Sequence, residues 1–229
     1  AYLNYLIKLD EVALLEISGL YHESDRNMIH VFARTKNIPH TYYYRRLENG
    51  FTWTAWELVD LDIEGDHLIP VIFNRRLFLF WPSFTEIPIA EENSLGTNAT
   101  PSVPVLRTEI KLSYSELKNG KWQAKKISKT SLDCRFSMNI SNAFFKVETA
   151  ENVLQVDAFY TPKEKRPFSH LGTFRLASSS ADLEVIVESA TPSPLSFSVE
   201  DSFRANMKIW SDIGSSQLSV TEQLRRVDI

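Results

Sequence analysis

Apolar and polar residues alternate over short segments along most of the chain, and these segments are rich in aromatic and β-branched side chains. A period of two is typical of strands that bury one face, and such side chains favour strands over helices. Asn49-Gly50 predicts a tight hairpin turn, because both residues tolerate a positive φ. The first part of the chain thus predicts four antiparallel strands, at residues 14–21, 28–34, 41–47 and 53–59.

The same series of strands then occurs a second time, which indicates an internal repeat. Asn119-Gly120 takes the place of Asn49-Gly50, and residues 28–32 align with residues 77–81. Each copy predicts a four-stranded antiparallel sheet of the blade type found in propellers, so the fold class is mostly β, a partial propeller. The apolar segment 77–81 favours an inner strand, and the Lys-rich segment 122–127 an exposed edge. The repeats span about 14–60 and 67–128, and the second has predicted strands at 68–73, 77–81, 106–114 and 122–127.

The two ends of the chain and one insertion depart from this pattern. Residues 1–13 have apolar side chains at three- and four-residue spacing, which predicts a short lead-in helix. Residues 86–104 are polar and contain prolines, so they predict a long surface loop within the second repeat. We expect one β domain at 14–176 and a tail at 177–229 that includes a short closing helix at 217–227. Further strands are predicted at 144–147, 153–160, 173–176 and 183–187.

The composition narrows the class of protein. With 25 basic and 29 acidic side chains and a net charge of −4, the chain lacks the positive field that nucleic-acid binding requires. Its single cysteine, Cys134, cannot form an internal disulfide and reads as a small buried hydrophobe. The longest apolar run, 77–81, is far shorter than a membrane span. The sequence therefore indicates a soluble domain with no nucleic-acid partner.

An acidic run between the two repeats is the most distinctive charged feature. Acidic residues at its first, third and fifth positions and Gly65 at the sixth resemble a calcium-binding EF-hand loop, but Val71 stands where that loop needs a glutamate. No metal site is therefore expected. Two interpretations stay open, a solvated turn and a pH-sensitive interface in which protonation or a basic partner relieves repulsion. The residues concerned are Asp60, Asp62, Glu64, Asp66 and His67.

No arrangement of residues predicts catalysis or a cofactor. The five histidines have no metal-ligand spacing, and His30, inside a predicted strand, reads as a hydrogen-bonded structural residue. A nucleophile elbow, a P-loop and a dinucleotide-binding fingerprint are all missing from a sequence with only 7 glycines. We therefore predict a protein that is not an enzyme, with no catalytic residue, no metal and no cofactor.

Aromatic residues near the first hairpin allow two interpretations. Tyr42, Tyr44 and Trp56 have the flat faces and polar neighbours of a glycan site, which would make the domain a lectin-like receptor-binding module. The recurrence of Trp53 as Trp122 favours a structural role for tryptophan after each hairpin. A sialidase is the least favoured reading, because its Ser-x-Asp-x-Gly-x-x-Trp box, Tyr-Glu nucleophile pair and arginine triad are not found.

Several long segments resemble the large A subunit (TcA) of bacterial Tc insecticidal toxin complexes. The densest similarity covers the acidic run and the strands around it, and it resembles the part of that subunit called the neuraminidase-like region. The resemblance extends over about residues 5–176. The matching segments are 5–16, 29–35, 39–45, 53–71, 74–82, 113–122 and 172–174.

This resemblance implies a domain of a very large, secreted virulence factor that assembles as a homopentamer. In that family, a central channel translocates cargo from the TcB and TcC components, and the neuraminidase-like region helps to close the shell until a pH change opens it. The resemblance thus implies a non-enzymatic structural and closure module in an extracellular toxin. A chain of 229 residues would be a fragment or a compact relative of such a subunit.

Overall fold

The computed structural model describes residues 12–89, 105–161, 169–180 and 182–186. Most of the predicted lead-in helix, most of the predicted loop at 86–104 and the closing helix at 217–227 lie outside these residues. The described chain divides between Asp60 and Leu61 into two compact units. No helix among the described residues has the length and hydropathy needed to cross a membrane.

The first unit contains one antiparallel sheet built from the first predicted series of strands. Strands β1, β2 and β3 follow one another in the sheet, and β4 and β5 both pair with β3. All four predicted strands are present, although the fourth is divided into two short pieces. The bounds are β1 Glu16–Glu23, β2 Met28–Arg34, β3 Tyr42–Glu48, β4 Thr52–Trp53 and β5 Glu57–Leu58.

The second unit begins with a sheet of the same design. Its strands β6, β7 and β8 are neighbours, and β9, β10 and β11 all pair with β8. The start predicted for the loop at 86–104 is too early, because β7 continues to Pro88 and pairs with β8 from Phe78 to Pro88. The bounds are β6 Ile69–Phe73, β7 Arg76–Pro88, β8 Leu106–Lys118, β9 Lys121–Trp122, β10 Lys126–Ile127 and β11 Leu132–Asp133.

A third antiparallel sheet completes the described part of the second unit. Its four strands lie in chain order, and the first of them contacts β6. The predicted strands at 144–147, 153–160, 173–176 and 183–187 correspond to these four. The bounds are β12 Ala143–Ala150, β13 Val153–Tyr160, β14 Ser169–Ala177 and β15 Leu183–Ile186.

The burial pattern explains why β7 occupies the middle of its sheet. Leu79, Phe80 and Trp81 are fully buried, so consecutive side chains on both faces of the strand are covered. Burial on both faces matches the prediction of an inner strand. The segment 122–127 pairs only with β8 among the described residues, and each of its side chains is exposed or half-buried, which confirms the predicted edge.

The two repeated sheets agree in the details of their hydrogen bonds. After each Asn-Gly turn the chain pairs briefly, leaves the sheet and pairs again, so that Glu57 lies opposite Tyr44 and Lys126 lies opposite Tyr114. One hydrogen bond closes each pattern, from the amide of Val59 to the Tyr42 carbonyl and from that of Ser128 to the Leu112 carbonyl, both at 2.9 Å. Tyr44 and Tyr114 are therefore equivalent positions.

This equivalence corrects the predicted alignment of residues 28–32 with 77–81 by one position. Phe32 lies opposite Tyr44 and Phe80 lies opposite Tyr114, so Phe32 corresponds to Phe80 rather than to Trp81. A shift of one residue exchanges the two faces of a strand. Because 77–81 are apolar on both faces, hydrophobicity alone could not set this register.

The prediction of a mostly β fold built from antiparallel, blade-like sheets is confirmed. If the split strands are counted as one, each repeated sheet has the four strands expected of a blade. The propeller arrangement itself stays a prediction, as do the domain limits 14–176 and 177–229.

Candidate functional site

The acidic run has a basic partner within its own unit. Lys125 lies with its Nζ 3.0 Å from Asp62 Oδ2 and 3.6 Å from Glu64 Oε1. The ammonium also lies 5.8 Å from the centre of the Trp81 ring, and the Lys125 side chain is largely covered. Asp62 and Glu64 remain exposed, at 82% and 62% of their side-chain surface, so this ion pair faces water. Exposed pairs of this kind contribute little to stability.

His67 does not lie with these carboxylates but in an aromatic environment. Its ring centre is 6.0 Å from that of Phe84 and 5.7 Å from that of Phe145, which belongs to β12. Burial lowers the pKa of His67, and the neighbouring Asp66 and a hydrogen bond to the backbone of Ala143 oppose this effect. The predicted set of five is therefore divided, with Asp60 at the end of the first unit and Asp66 on the surface.

The predicted glycan-facing aromatic residues are not a stacking platform. Tyr42 and Tyr44 are 4% and 2% exposed, so no ring face is available to a sugar. They share one face of β3, and both faces of the β2–β3 pair are covered, since Ala33 and Tyr43 on the opposite face are buried as well. Trp56 is half-buried and contacts Arg45.

An arginine held by two tryptophans is a feature that the sequence analysis did not identify. The guanidinium carbon of Arg45 lies 4.2 Å from the centre of the Trp53 ring and 4.4 Å from that of Trp56. Both tryptophans also pack against a buried apolar cluster that consists of Ile29, Val31 and Leu47. The signal was present in the alternation of β3, because Arg45 shares its face with Leu47, which lies opposite Trp53.

A second unpredicted feature is a buried chain of hydrogen bonds across β1, β2 and β3. His30 lies with Nε2 3.2 Å from a Glu23 carboxylate oxygen and Nδ1 2.9 Å from the Tyr44 hydroxyl. A carboxylate only accepts, so Nε2 donates to Glu23 and Nδ1 accepts from Tyr44. Burial lowers the pKa of His30, although Glu23 opposes this, and burial raises the pKa of Tyr44. The prediction that His30 is a hydrogen-bonded structural residue is confirmed.

The second unit also contains a pocket of about 280 Å³ between the β6–β7 hairpin and the end of β14. Its walls combine aromatic rings with charged groups and a serine-rich turn. Arg76 Nη1 donates to Glu116 at 2.6 Å, and Lys126 Nζ lies 5.5 Å from the centre of the Tyr114 ring. Burial raises the pKa of Tyr114 to about 12. The lining residues are Phe78, Tyr114, Arg76, Glu116, Lys126 and the serines 178–180.

Comparisons with known proteins identify the family of this chain. A family model described as the neuraminidase-like domain matches residues 15–170, which is more than half of the sequence. The chain belongs to the neuraminidase-like domain family. The resemblance described from the sequence is thereby confirmed.

Two solved structures resemble this neuraminidase-like domain. The cryo-EM structure of Morganella morganii TcdA4 matches 91% of the chain with 17% sequence identity and a TM-score of 0.57, and the match covers 9% of TcdA4. The cryo-EM structure of Yersinia pseudotuberculosis TcaA-TcaB matches 57% of the chain at 15% identity with a TM-score of 0.39, over 7% of that chain. A comparison with curated proteins gives no match. The likeness to TcdA4 shows a shared fold.

Two potentially reactive side chains of the neuraminidase-like domain, Tyr44 and Cys134, are buried. Tyr44 is buried beside His30, so its hydroxyl has no access to a substrate. Burial and Asp133 raise the pKa of Cys134 to about 11, which keeps the thiol protonated, and the prediction that Cys134 is buried is confirmed. Within the described ranges, no three metal-ligating side chains come together.

Proposed function

We propose that this domain is a non-enzymatic structural module of the A subunit of a Tc-type toxin complex. The observation that carries the proposal is the family match together with the fold shared with TcdA4 over 91% of the chain. The match covers only 9% of TcdA4, and we therefore propose that this domain is one module of a much larger protein. Assembly as a homopentamer with TcB and TcC components, and secretion of the whole toxin, belong to the same proposal.

Within that assembly, the proposed role of the domain is to help to keep the shell closed. The exposed carboxylates of Asp62 and Glu64, held at one position by Lys125, support this role, because they offer negative charge to a neighbouring subunit. A contact that depends on ionised carboxylates is strongest near neutral pH. It weakens as the pH falls and the carboxylates take up protons.

The proposal is tested on the product of the complete native gene. We expect a protein many times longer than 229 residues that forms large, symmetric particles visible by negative-stain electron microscopy at neutral pH. A complete gene product close in size to this chain, or one that remains monomeric at all pH values, would contradict the proposal.

The non-enzymatic part of the proposal has its own test. The purified chain should release no product from a fluorogenic sialoside between mildly acidic and neutral pH, because the Ser-x-Asp-x-Gly-x-x-Trp box, Tyr-Glu nucleophile pair and arginine triad of sialidases are not found in the sequence. Turnover that persists through repurification, and that follows the protein rather than a contaminant through the column, would make the domain a glycosidase.

Glycan binding is a second candidate function, and the pocket favours it rather than the aromatic residues predicted from the sequence. Sugar sites contain several convergent hydrogen-bonding groups, and Arg76, Lys126 and the serine hydroxyls supply them here, whereas Tyr114 is 3% exposed and offers no ring face. A glycan array with the wild-type chain and with Lys126→Ala tests this function, and Lys121→Ala on the same exposed edge is the control. Loss of a signal in Lys126→Ala alone supports it, and an array without any bound glycan excludes it.

A further inference from the structure

Arg45 carries a positive charge for which the described residues supply no counter-charge. Its Nε is buried and has no hydrogen-bond partner. The interactions found for its guanidinium are those with the rings of Trp53 and Trp56. Burial lowers the pKa of Arg45. A buried donor without a partner is uncommon in folded proteins and calls for an acceptor.

The second sheet shows how the same fold neutralises a cation when the acceptor lies within the chain. Lys125 occupies the position equivalent to Trp56. Lys125 lies two residues before Ile127, and Trp56 lies two residues before Leu58. Ile127 and Leu58 pair with equivalent residues of β8 and β3. The Lys125 ammonium lies near a tryptophan ring and also reaches the carboxylates of Asp62 and Glu64. In the first sheet, the tryptophan contacts are present and the carboxylates are missing from the described residues.

The surroundings of Arg45 have the composition of a protein interface. Leu58 lies opposite Tyr43 on the same face of the sheet, and 57% of its surface is exposed. Among the described residues, β4 and β5 pair only with β3, so they form an edge. Arginine and tryptophan beside exposed apolar side chains are the residues that contribute most to binding between proteins.

We propose that Arg45, held between Trp53 and Trp56, binds a carboxylate from an acidic segment of a partner protein. The planar guanidinium matches a carboxylate with two parallel hydrogen bonds, and the two indoles fix its orientation before binding. We favour a protein over a sugar acid as the partner for two reasons. The ring faces of Trp53 and Trp56 toward Arg45 are covered by the guanidinium, so they cannot stack on a sugar. The exposed apolar side chain of Leu58 lies beside the site. This inference does not depend on the assignment to a toxin.

The test uses the full chain labelled with ¹⁵N at tryptophan, and the five indole N–H signals are assigned with Trp→Phe variants. The probe is the heptapeptide Asp-Leu-Asp-Ile-Glu-Gly-Asp, which is the segment that supplies the carboxylates to Lys125. Its counterpart with Asn and Gln in place of the acids, glucuronate and N-acetylneuraminate are the comparison ligands. We expect the acidic peptide to shift the Trp53 and Trp56 signals saturably, with weaker binding at higher salt.

Variants then assign the effect to the guanidinium. Arg45→Gln should weaken binding by roughly tenfold or more, and Arg45→Lys should fall between it and the wild type, since lysine lacks the planar fork. Lys125→Gln removes the paired cation of the second sheet and should leave the affinity unchanged. The remaining indole signals report whether each variant is folded.

Four results would overturn the proposal. These are equal binding of the amide peptide, unchanged binding by Arg45→Gln, binding of a sugar acid without binding of the peptide, and no shift with any probe at millimolar concentration. None of them concerns particle assembly, so they are independent of the test of the proposed function.

Discussion

The first and second sheets place different side chains on one backbone pattern. His30 lies opposite Arg46 in the first sheet, and its equivalent in the second, Phe78, lies opposite Glu116. The hydrogen-bonded chain of Glu23, His30 and Tyr44 thus corresponds to the aromatic cluster of Phe73, Phe78 and Tyr114, with neighbouring ring centres 6.1 Å apart.

This difference separates what the fold requires from what it permits. Strand alternation, the Asn-Gly turn and the divided fourth strand are common to both sheets, so they belong to the architecture. The buried polar chain occurs in one copy only, so it is not needed for a sheet of this kind. A polar network with every group satisfied fixes strand register, and an apolar cluster contributes more through burial.

The largest loss of stability is expected from a substitution in the aromatic cluster of the second sheet. Phe78→Ala removes a buried ring that contacts Phe73, Phe80 and Tyr114, and it should lower the free energy of unfolding by about 3 to 5 kcal/mol. Urea denaturation followed by circular dichroism measures the change. Phe51→Ala at the exposed tip of the first hairpin is the control and should change stability little. Equal midpoints for the two variants would show that the second sheet does not depend on this cluster.

In the first sheet, substitutions should lower the free energy of unfolding by removing hydrogen-bond partners rather than by leaving a cavity. His30→Phe leaves the Tyr44 hydroxyl without its acceptor and Glu23 without a buried donor, so it should cost about 1 to 3 kcal/mol. Adding Tyr44→Phe removes this hydroxyl, together with its hydrogen bond to Arg46, and should recover the part of the loss that is due to the missing His30 acceptor. If the double variant is less stable than His30→Phe alone, the chain of hydrogen bonds is not the cause.

The strands and the identity of the repeat could be predicted from the sequence because period-two alternation and Asn-Gly turns are local signals. The register between strands could not be predicted from the sequence, because the predicted alignment matched Phe32 with Trp81 instead of Phe80. The site depends on register, since Arg45 meets Trp53 only through the pairing of Leu47 across the hairpin. The pocket was also missed, because it joins Tyr114 to serines from a turn far along the chain. Tyr42 and Tyr44 were misread because β2 and β3 are covered on both faces, which the alternation within a single strand does not reveal.

A smaller effect should link the stability of the chain to pH through one histidine in each unit. Burial lowers the pKa of His30 in the folded chain, so protonation favours the unfolded state. The stability due to neutral His30 is complete above pH 6.5 and is lost as the pH falls toward the lowered folded pKa. His67 has the same sign. Urea midpoints from pH 8 to pH 5 should fall less steeply in His30→Phe than in the wild type, and a further reduction is expected in His30→Phe with His67→Phe. An unchanged slope would mean that neither histidine is linked to folding.

The smallest effect on the isolated chain is expected at the acidic run. Asp62→Asn with Glu64→Gln removes the exposed partners of Lys125 and should change the free energy of unfolding by less than about 1 kcal/mol. In the complete assembly, the same pair of substitutions removes charge from the proposed contact between subunits. It should therefore shift the pH at which the shell opens, measured by counting open and closed particles in negative-stain images over a pH series. Lys125→Gln is the comparison, since it removes the ion pair that positions the carboxylates but leaves their charge, so it should shift the opening pH less. An opening pH equal to that of the wild type in Asp62→Asn with Glu64→Gln would reduce the run to a solvated turn, and the ion pair with Lys125 would then be a local feature of the second sheet.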